Sequence, residues 1–482
     1  MHFKLISTLL GLVLLLFSLT MLIPIPFALW YGEDTTEVFL SAFAITAAVG
    51  LALWRPGRKI ATSLRTRDGF LITALFWVVL GLFGSLPLFI AESPSMTITD
   101  AVFESVSGLT TTGATLLIGL DELPKSILYY RQQLQWLGGI GIIVIAIAIL
   151  PMLGIGGMQL YRAETPGPMK DNKLTPRITS TAKALFAIYL SLTVGCALTY
   201  WMAGMTPFDA LAHSYSTVAI GGFSTHDASL GHYDSPFVLI VAMIYMLLSG
   251  INFALHYFSF QRTRITVYSH DSEFRFYLFY IVCAIAIVVF ALAHLGDYGF
   301  RYSALHGAFQ VISLATTTGF ASTNFAVWPT FVPVFLFLLA FIGACAGSTG
   351  GGMKVIRVAL IVKQGYRELV QLVHPNAIIP VKLGDRPVSN RVINAVWSFF
   401  AIYVLVYIAM LLAVLATGLD FLTAFSAVGA SLNNLGPGLG DVAANYASIP
   451  ATTKWILCLA MLAGRLEVFT LLVLFTPAFW RR

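Results

Sequence analysis

Charge is what this sequence has least of. Asp, Glu, Lys and Arg together make up 10% of its 482 residues, against roughly 25% in an ordinary soluble domain. That scarcity excludes a chain bathed in water on every side. Cysteine is nearly as rare, and Cys196, Cys283, Cys345 and Cys458 each lie inside an apolar run with no CxxC or Cys/His spacing. A disulfide framework is thereby excluded, and a small-hydrophobe role is left. There is no Walker-type phosphate loop and no dinucleotide fingerprint, so nucleotide sensing or energy input must come from another chain. His213, His226, His232, His256 and His306 show no metal-like spacing among themselves, and no transition-metal site is expected of them. No catalytic residue set emerges, and the chain reads as something other than an enzyme.

What is present is apolar length. Hydrophobic residues make up 58% of the chain, the mean hydropathy is +0.84, and several runs reach the roughly 20 residues that cross a hydrocarbon core as a helix. Barrel strands would show short alternating segments instead. The expectation is therefore an all-α polytopic membrane protein whose outer surface meets lipid. The opening stretch is too long for a signal peptide and lacks an A-x-A site; it reads as a spanning helix, Leu5 to Trp30. With a second span from Val38 to Trp54 it forms an N-terminal hairpin, 1–54.

Beyond the basic linker a unit recurs. Each copy reads as a long apolar helix, a short segment ending in a Thr/Gly stretch, a polar loop and a second long helix. The copies occupy 67–164, 179–263, 275–366 and 390–482. First helices are expected near 69–91, 180–204, 275–295 and 392–416, and second helices near 132–153, 236–259, 330–362 and 454–476, the third of these interrupted. Gly113, Gly222, Gly319 and Gly436 are 109, 97 and 117 residues apart. Thirteen residues before them stand Asp100, Asp209, His306 and Thr423, each opening a short segment, and six before them stand Ser107, Ser216, Ser313 and Ala430. Such coincidence argues internal duplication. About ten residues before each turn are too few to span, so each segment reads as a re-entrant helix and loop. Two spans plus one re-entrant piece bring every copy back to its starting side. The expected architecture is four parallel helix/pore-loop/helix repeats around a central pore, ten spans with the hairpin.

The positive charge follows topology. Of the 28 Lys and Arg, 23 fall on the side opposite the glycine stretches, leaving Lys125, Arg131, Arg301 and Lys454 beside those stretches and Arg465 inside a helix. The glycines should then face outward, and the net charge of +6 does not signal nucleic-acid binding. The outer face is acidic, with Asp100, Glu104, Asp121 and Asp209 among its carboxylates, and would concentrate cations.

A dehydrated cation inside a membrane must exchange water oxygens for protein oxygens, which rings of backbone carbonyls supply. Thr111-Thr112-Gly113, Ile220-Gly221-Gly222, Thr317-Thr318-Gly319 and Asn434-Leu435-Gly436 are the candidates, with glycine reaching the required backbone angles. Two features interrupt otherwise apolar helices. Gly347-Ser348-Thr349-Gly350-Gly351-Gly352 is a poor helix former and reads either as a flexible constriction below the ring or as a close-packing patch. Arg465, read as midway along the last span, is either an electrostatic barrier or a buried structural pair. Glu467, two residues on, would point elsewhere on the helix.

LTTTGAT, AIGGFST, ATTTGFAST and NNLGPGLG, with GACAGSTGGGMKVIR and the ending GRLEVFTLLVLFTPAFW, closely resemble the Trk/Ktr/HKT superfamily of potassium transporters along essentially the whole chain. The resemblance implies K+ as the ion, a selectivity filter at the four triplets, and a gating loop at 347–352. It also implies a homodimer in a bacterial inner membrane and a cytosolic nucleotide-binding regulatory subunit of the TrkA type, for which the basic inner loops 158–183 and 354–391 would be docking surfaces. Each repeat keeps one glycine, followed by Ala114, Phe223, Phe320 or Pro437 rather than a channel's TVGYG, which implies modest rejection of sodium. A proton- or sodium-coupled symporter with alternating access is the other reading, and a non-transporting receptor a third.

Overall fold

A computed structural model describes residues 2–55, 66–141, 178–384 and 386–481. Residues 158–177 of the expected docking loop 158–183, and the expected second helix of repeat 1 beyond Gly141, lie outside them. Apart from one two-residue antiparallel pair, Lys382–Leu383 with Arg386–Pro387, the described elements are helices.

Among the described residues six helices are long and apolar enough to cross a membrane, and eight if two bent pairs each count as one span. The two remaining expected spans fall on Lys125–Ile140, described only to its end, and on Val332–Ile342, where the third repeat's second helix breaks. Helices Phe3–Thr20 and Thr36–Trp54 form the N-terminal hairpin. They pack so closely at Gly11 that a Cβ there would stand 2.6 Å from the Gly50 carbonyl oxygen.

Four short helices, Ile98–Leu109, Pro207–Ala219, Phe300–Ala315 and Phe421–Asn433, precede the glycine stretches. Their starts come earlier than the thirteen-residue offset suggests, because the cap sits sixteen before the glycine in repeats 1, 2 and 4 and twenty before it in repeat 3. Thr97 Oγ1 accepts from Asp100 N at 3.2 Å, Thr206 Oγ1 from Asp209 N at 3.1 Å and Asp420 Oδ2 from Thr423 N at 3.1 Å. Asp100 and Asp209 are third residues of capped helices, where a negative charge also meets the positive end of the helix dipole. The third repeat has Gly299 at the cap with no side-chain bond, and its helix is longest at 16 residues.

Three second helices break, where only one break was expected. Pro236–Ser249 turns by 90° into Phe253–Gln261, and Ala451–Arg465 by 107° into Phe469–Phe475. Arg465 therefore ends a half-helix instead of lying mid-span. The breaks interlock: Phe253 N donates to Gly347 O at 3.0 Å and Cys345 N to Gly250 O at 3.0 Å. Backbone groups released from the helices are thus satisfied within the protein, the condition for irregular chain at membrane depth.

Candidate functional site: a ring of four glycine turns

Each short helix ends in the same way. The residue before each repeat's positive-φ glycine donates its N–H to the carbonyl six before that glycine: Thr112 to Ser107, Gly221 to Ser216 and Thr318 to Ser313 at 2.8 Å, Leu435 to Ala430 at 2.9 Å. Those acceptors are the positions singled out by the repeat offset. One residue earlier the backbone is left-handed, with φ of 53° at Thr111, 56° at Ile220, 66° at Thr317 and 53° at Asn434. The glycines follow with φ of 81°, 78°, 85° and 96°. A left-handed residue two before a positive-φ glycine is costly for β-branched Thr and Ile, yet it recurs four times.

The four turns close on one another. A Cβ on Gly113 would lie 2.0 Å from Gly221 O, one on Gly222 2.1 Å from Thr318 O, one on Gly319 2.1 Å from Leu435 O, and one on Gly436 2.7 Å from Thr112 O. The order runs through repeats 1, 2, 3 and 4 and returns to 1. Asn434 Nδ2 reinforces the closure by donating to Thr112 Oγ1 at 3.0 Å and to Met461 O at 3.0 Å. Every sequence-predicted triplet is in the ring, and Thr111, Thr112, Thr317, Thr318 and Asn434 are buried.

Sequence reasoning missed the supports behind the ring. Gln135 Nε2 donates to Gly221 O at 2.6 Å while its Oε1 accepts from Phe223 N at 3.1 Å, and Tyr446 OH donates to Gly436 O at 2.7 Å. Glu104 and Arg131, both 0% exposed, pair at 2.7 Å. Glu104 also accepts from Leu116 N at 2.9 Å, while Arg131 donates to Thr115 Oγ1 at 2.9 Å and Ser224 O at 3.3 Å. The pair thus ties the chain beyond the first turn to that beyond the second. Glu104 belongs to this brace and adds nothing to an acidic surface. Asp100 likewise pairs with Lys454 at 2.7 Å; burial opposes its charge, but Lys454 and Thr97 hold its carboxyl below the usual range. A Gln inside an apolar helix was the available signal for Gln135.

The glycine break of repeat 3 lies against the ring. Gly351 N donates to Thr317 Oγ1 at 2.7 Å, Gly352 N to Asn433 O at 3.1 Å and Thr349 Oγ1 to Val218 O at 3.0 Å. A Cβ on Gly351 would stand 2.0 Å from Asn433 O. Gly347 and Ser348 sit toward the second repeat's break, Gly347 against Asn252. Lys354 Nζ donates to Gly350 O, and buried Glu273 accepts from Ala346 N at 2.7 Å.

Arg465 reaches this level from the fourth repeat. Its guanidinium donates to Thr111 Oγ1 at 3.2 Å and Thr349 O at 3.2 Å, and to Gly138 O. One cation thereby joins the first turn, the glycine break and the first repeat's second helix. Gly464 lets it approach: a Cβ there would meet Leu432 O at 2.2 Å, as one on Gly138 would meet Leu109 O at 1.9 Å. Glu467 turns away, as its spacing suggests, and pairs with Arg357 at 2.5 Å.

These features define a polytopic helical membrane protein built from four re-entrant repeats about one axis. A sequence model of the TrkH family, described as cation transport protein, matches residues 35–482, and the chain belongs to that family. Over 482 residues, and the whole of both chains, it is 55% identical to the Trk system potassium uptake protein TrkH of Halomonas elongata and 55% identical to that of Escherichia coli K12. It is 42% identical over 480 residues to the Trk system potassium uptake protein TrkG of the same Escherichia coli strain, covering 100% of this chain and 99% of the relative. The crystal structure of the potassium transporter TrkH from Vibrio parahaemolyticus superposes with a TM-score of 0.91 at 51% identity, covering 100% of both chains.

Proposed function

We propose that this chain is the membrane subunit of a Trk system and carries potassium into the cell through the ring, with the filter facing outward in a bacterial inner membrane. The observation that carries the reading is the cyclic closure of Gly113, Gly222, Gly319 and Gly436 on the neighbouring carbonyls. Four segments from distant parts of the chain are held within van der Waals reach around one axis, and backbone oxygens are their common chemistry. Such oxygens can replace the hydration shell of a monovalent cation. The names of the full-length relatives and of the matching structure supply potassium.

The break at 347–352 and Arg465 act as the gate. Both are bonded to the inner side of the ring, through Thr317 and Thr111, in an arrangement that obstructs the path and places a positive charge on it. Conduction requires the loop to leave Thr317 and Asn433, and Arg465 to leave Thr111. The signal comes from a cytosolic nucleotide-binding partner of the TrkA type, and the protomers pair as a homodimer. Helix Val355–Val373, which follows the gate directly and leaves Tyr366, Leu369 and Leu372 exposed, offers the docking face.

Potassium and sodium influx into liposomes holding the purified chain tests the reading, with Gly319→Ser as control. Potassium influx exceeding sodium influx and lost in the variant is expected. Sodium influx equal to or above potassium would overturn the ion, and unchanged behaviour of Gly319→Ser would overturn the filter. Uptake that requires a proton or sodium gradient would favour the symporter.

A further inference from the structure

Spacing along the chain argues against a transition-metal site, but the fold supplies a ligand that spacing cannot show. Asp121, in the loop after the first turn, meets His226 and His232, in the loop after the second. One donor atom from each lies within 4.8 Å of the others. The meeting is built: Leu120 N donates to both carboxylate oxygens of Asp227 at 3.2 Å, which clamps one loop to the other. His226 is held from below, its backbone N donating to Ser224 Oγ at 3.1 Å.

The His226 ring is poised between two carboxylates. Its Nδ1 faces Asp121 Oδ1, and its buried Nε2 stands 3.6 Å from Asp209 Oδ1, with no hydrogen-bond partner within bonding distance. Closing that 3.6 Å gap would let Asp209 accept from Nε2–H, the bond that orients metal-ligating histidines and frees the other nitrogen to coordinate. His232 stacks on His226 with ring centroids 3.6 Å apart and planes 1° from parallel. His232 and Asp121 are exposed, so rotation of the outer imidazole turns its lone pair toward a shared ion.

We propose that Asp121, His226 and His232 form a divalent transition-metal site on the outer mouth, and that occupancy ties the first and second post-filter loops together and slows cation entry. Two imidazoles and a carboxylate suit Zn2+ or Ni2+, whereas Mg2+ and Ca2+ favour all-oxygen sets. Ligand bonds of about 2.0–2.2 Å require the widest pair of donors to close by little more than about 1 Å. Three protein ligands leave a fourth position to water. The binding stands on the loops alone, while the effect on transport rests on the filter reading above.

Full-length protein carrying no polyhistidine tag, in detergent, is titrated with Zn2+ by calorimetry, and 86Rb+ influx into liposomes is measured with and without external Zn2+. One ion per chain is expected, with binding abolished in His232→Ala and weakened about 10–100-fold in Asp209→Asn, which removes the carboxylate charge behind the ring. Influx should fall severalfold in the wild type, and His232→Ala, with ordinary basal influx, should resist. No saturable binding, or binding undiminished in both His232→Ala and Asp121→Asn, overturns the site. Bound Zn2+ with undiminished influx overturns the transport effect and leaves the site. A preparation that binds Zn2+ but conducts no cation at all indicts the filter reading instead.

Discussion

The Leu435 carbonyl oxygen occupies the space into which a side chain on Gly319 would project, 2.1 Å from the position of a Cβ. Gly319 also has φ of 85°. Gly319→Ala therefore fails twice, by a left-handed backbone cost of about 1–2 kcal/mol and by a clash with backbone that cannot yield without opening the ring. Loss of selective potassium influx together with a lower melting temperature is expected. A variant with native selectivity would show that the ring is not the filter.

Arg465→Ala removes the guanidinium that joins Thr111, Thr349 and Gly138. Basal potassium influx should rise severalfold without the regulator, while the potassium-to-sodium ratio stays put. A fall in influx at unchanged expression would mark Arg465 as a structural strut only.

Gly351→Ala should push the glycine break away from Asn433, whose carbonyl lies 2.0 Å from the added carbon, and raise basal influx. Both variants act on the same loop, so the double variant should raise influx, in log rate, by less than the sum of the two single effects. Strict additivity in log rate would place the two in independent mechanisms.

Glu104→Gln leaves the buried Arg131 charge uncompensated, for which a loss of about 3–5 kcal/mol is expected. Thermal melts of the detergent-solubilised chain read it directly. Replacing both partners with apolar residues, Glu104→Leu with Arg131→Met, should recover much of that stability, although the hydrogen bonds to Thr115, Leu116 and Ser224 go with the pair.

The repeat, and with it the ring, could be read from the sequence because short-range chemistry was duplicated. Ser107, Ser216, Ser313 and Ala430 keep their distance from the glycines since their carbonyls accept the same turn-closing bond. The helix breaks at 250–252 and 466–468 were hidden because Gly250, Asn252 and Glu467 are their only local signals, too few to mark a break between the apolar runs on either side. Those breaks pack against the third repeat's break and the fourth repeat's own short helix, through Gly347, Leu432 and the Thr349 loop. Arg131 and Glu104 looked like surface charge because their partnership depends on two chain segments 27 residues apart being folded inward together. The meeting of Asp121 with His226, 105 residues apart, is likewise a product of topology, invisible to any local spacing rule.

The contact between Asn434 and Thr112 joins positions 322 residues apart. It bears on how the protein is made. A ribosome releases the first repeat long before the fourth, so a nascent chain already inserted through its third repeat holds an incomplete circuit with no Leu435 carbonyl against Gly319 and no Arg465 beneath Thr111. The fourth repeat brings both the closing quarter of the ring and the guanidinium bonded to it. On the function proposed above, a selective path and its restraint are therefore completed in the same step of biogenesis, and truncation before repeat 4 forfeits both together.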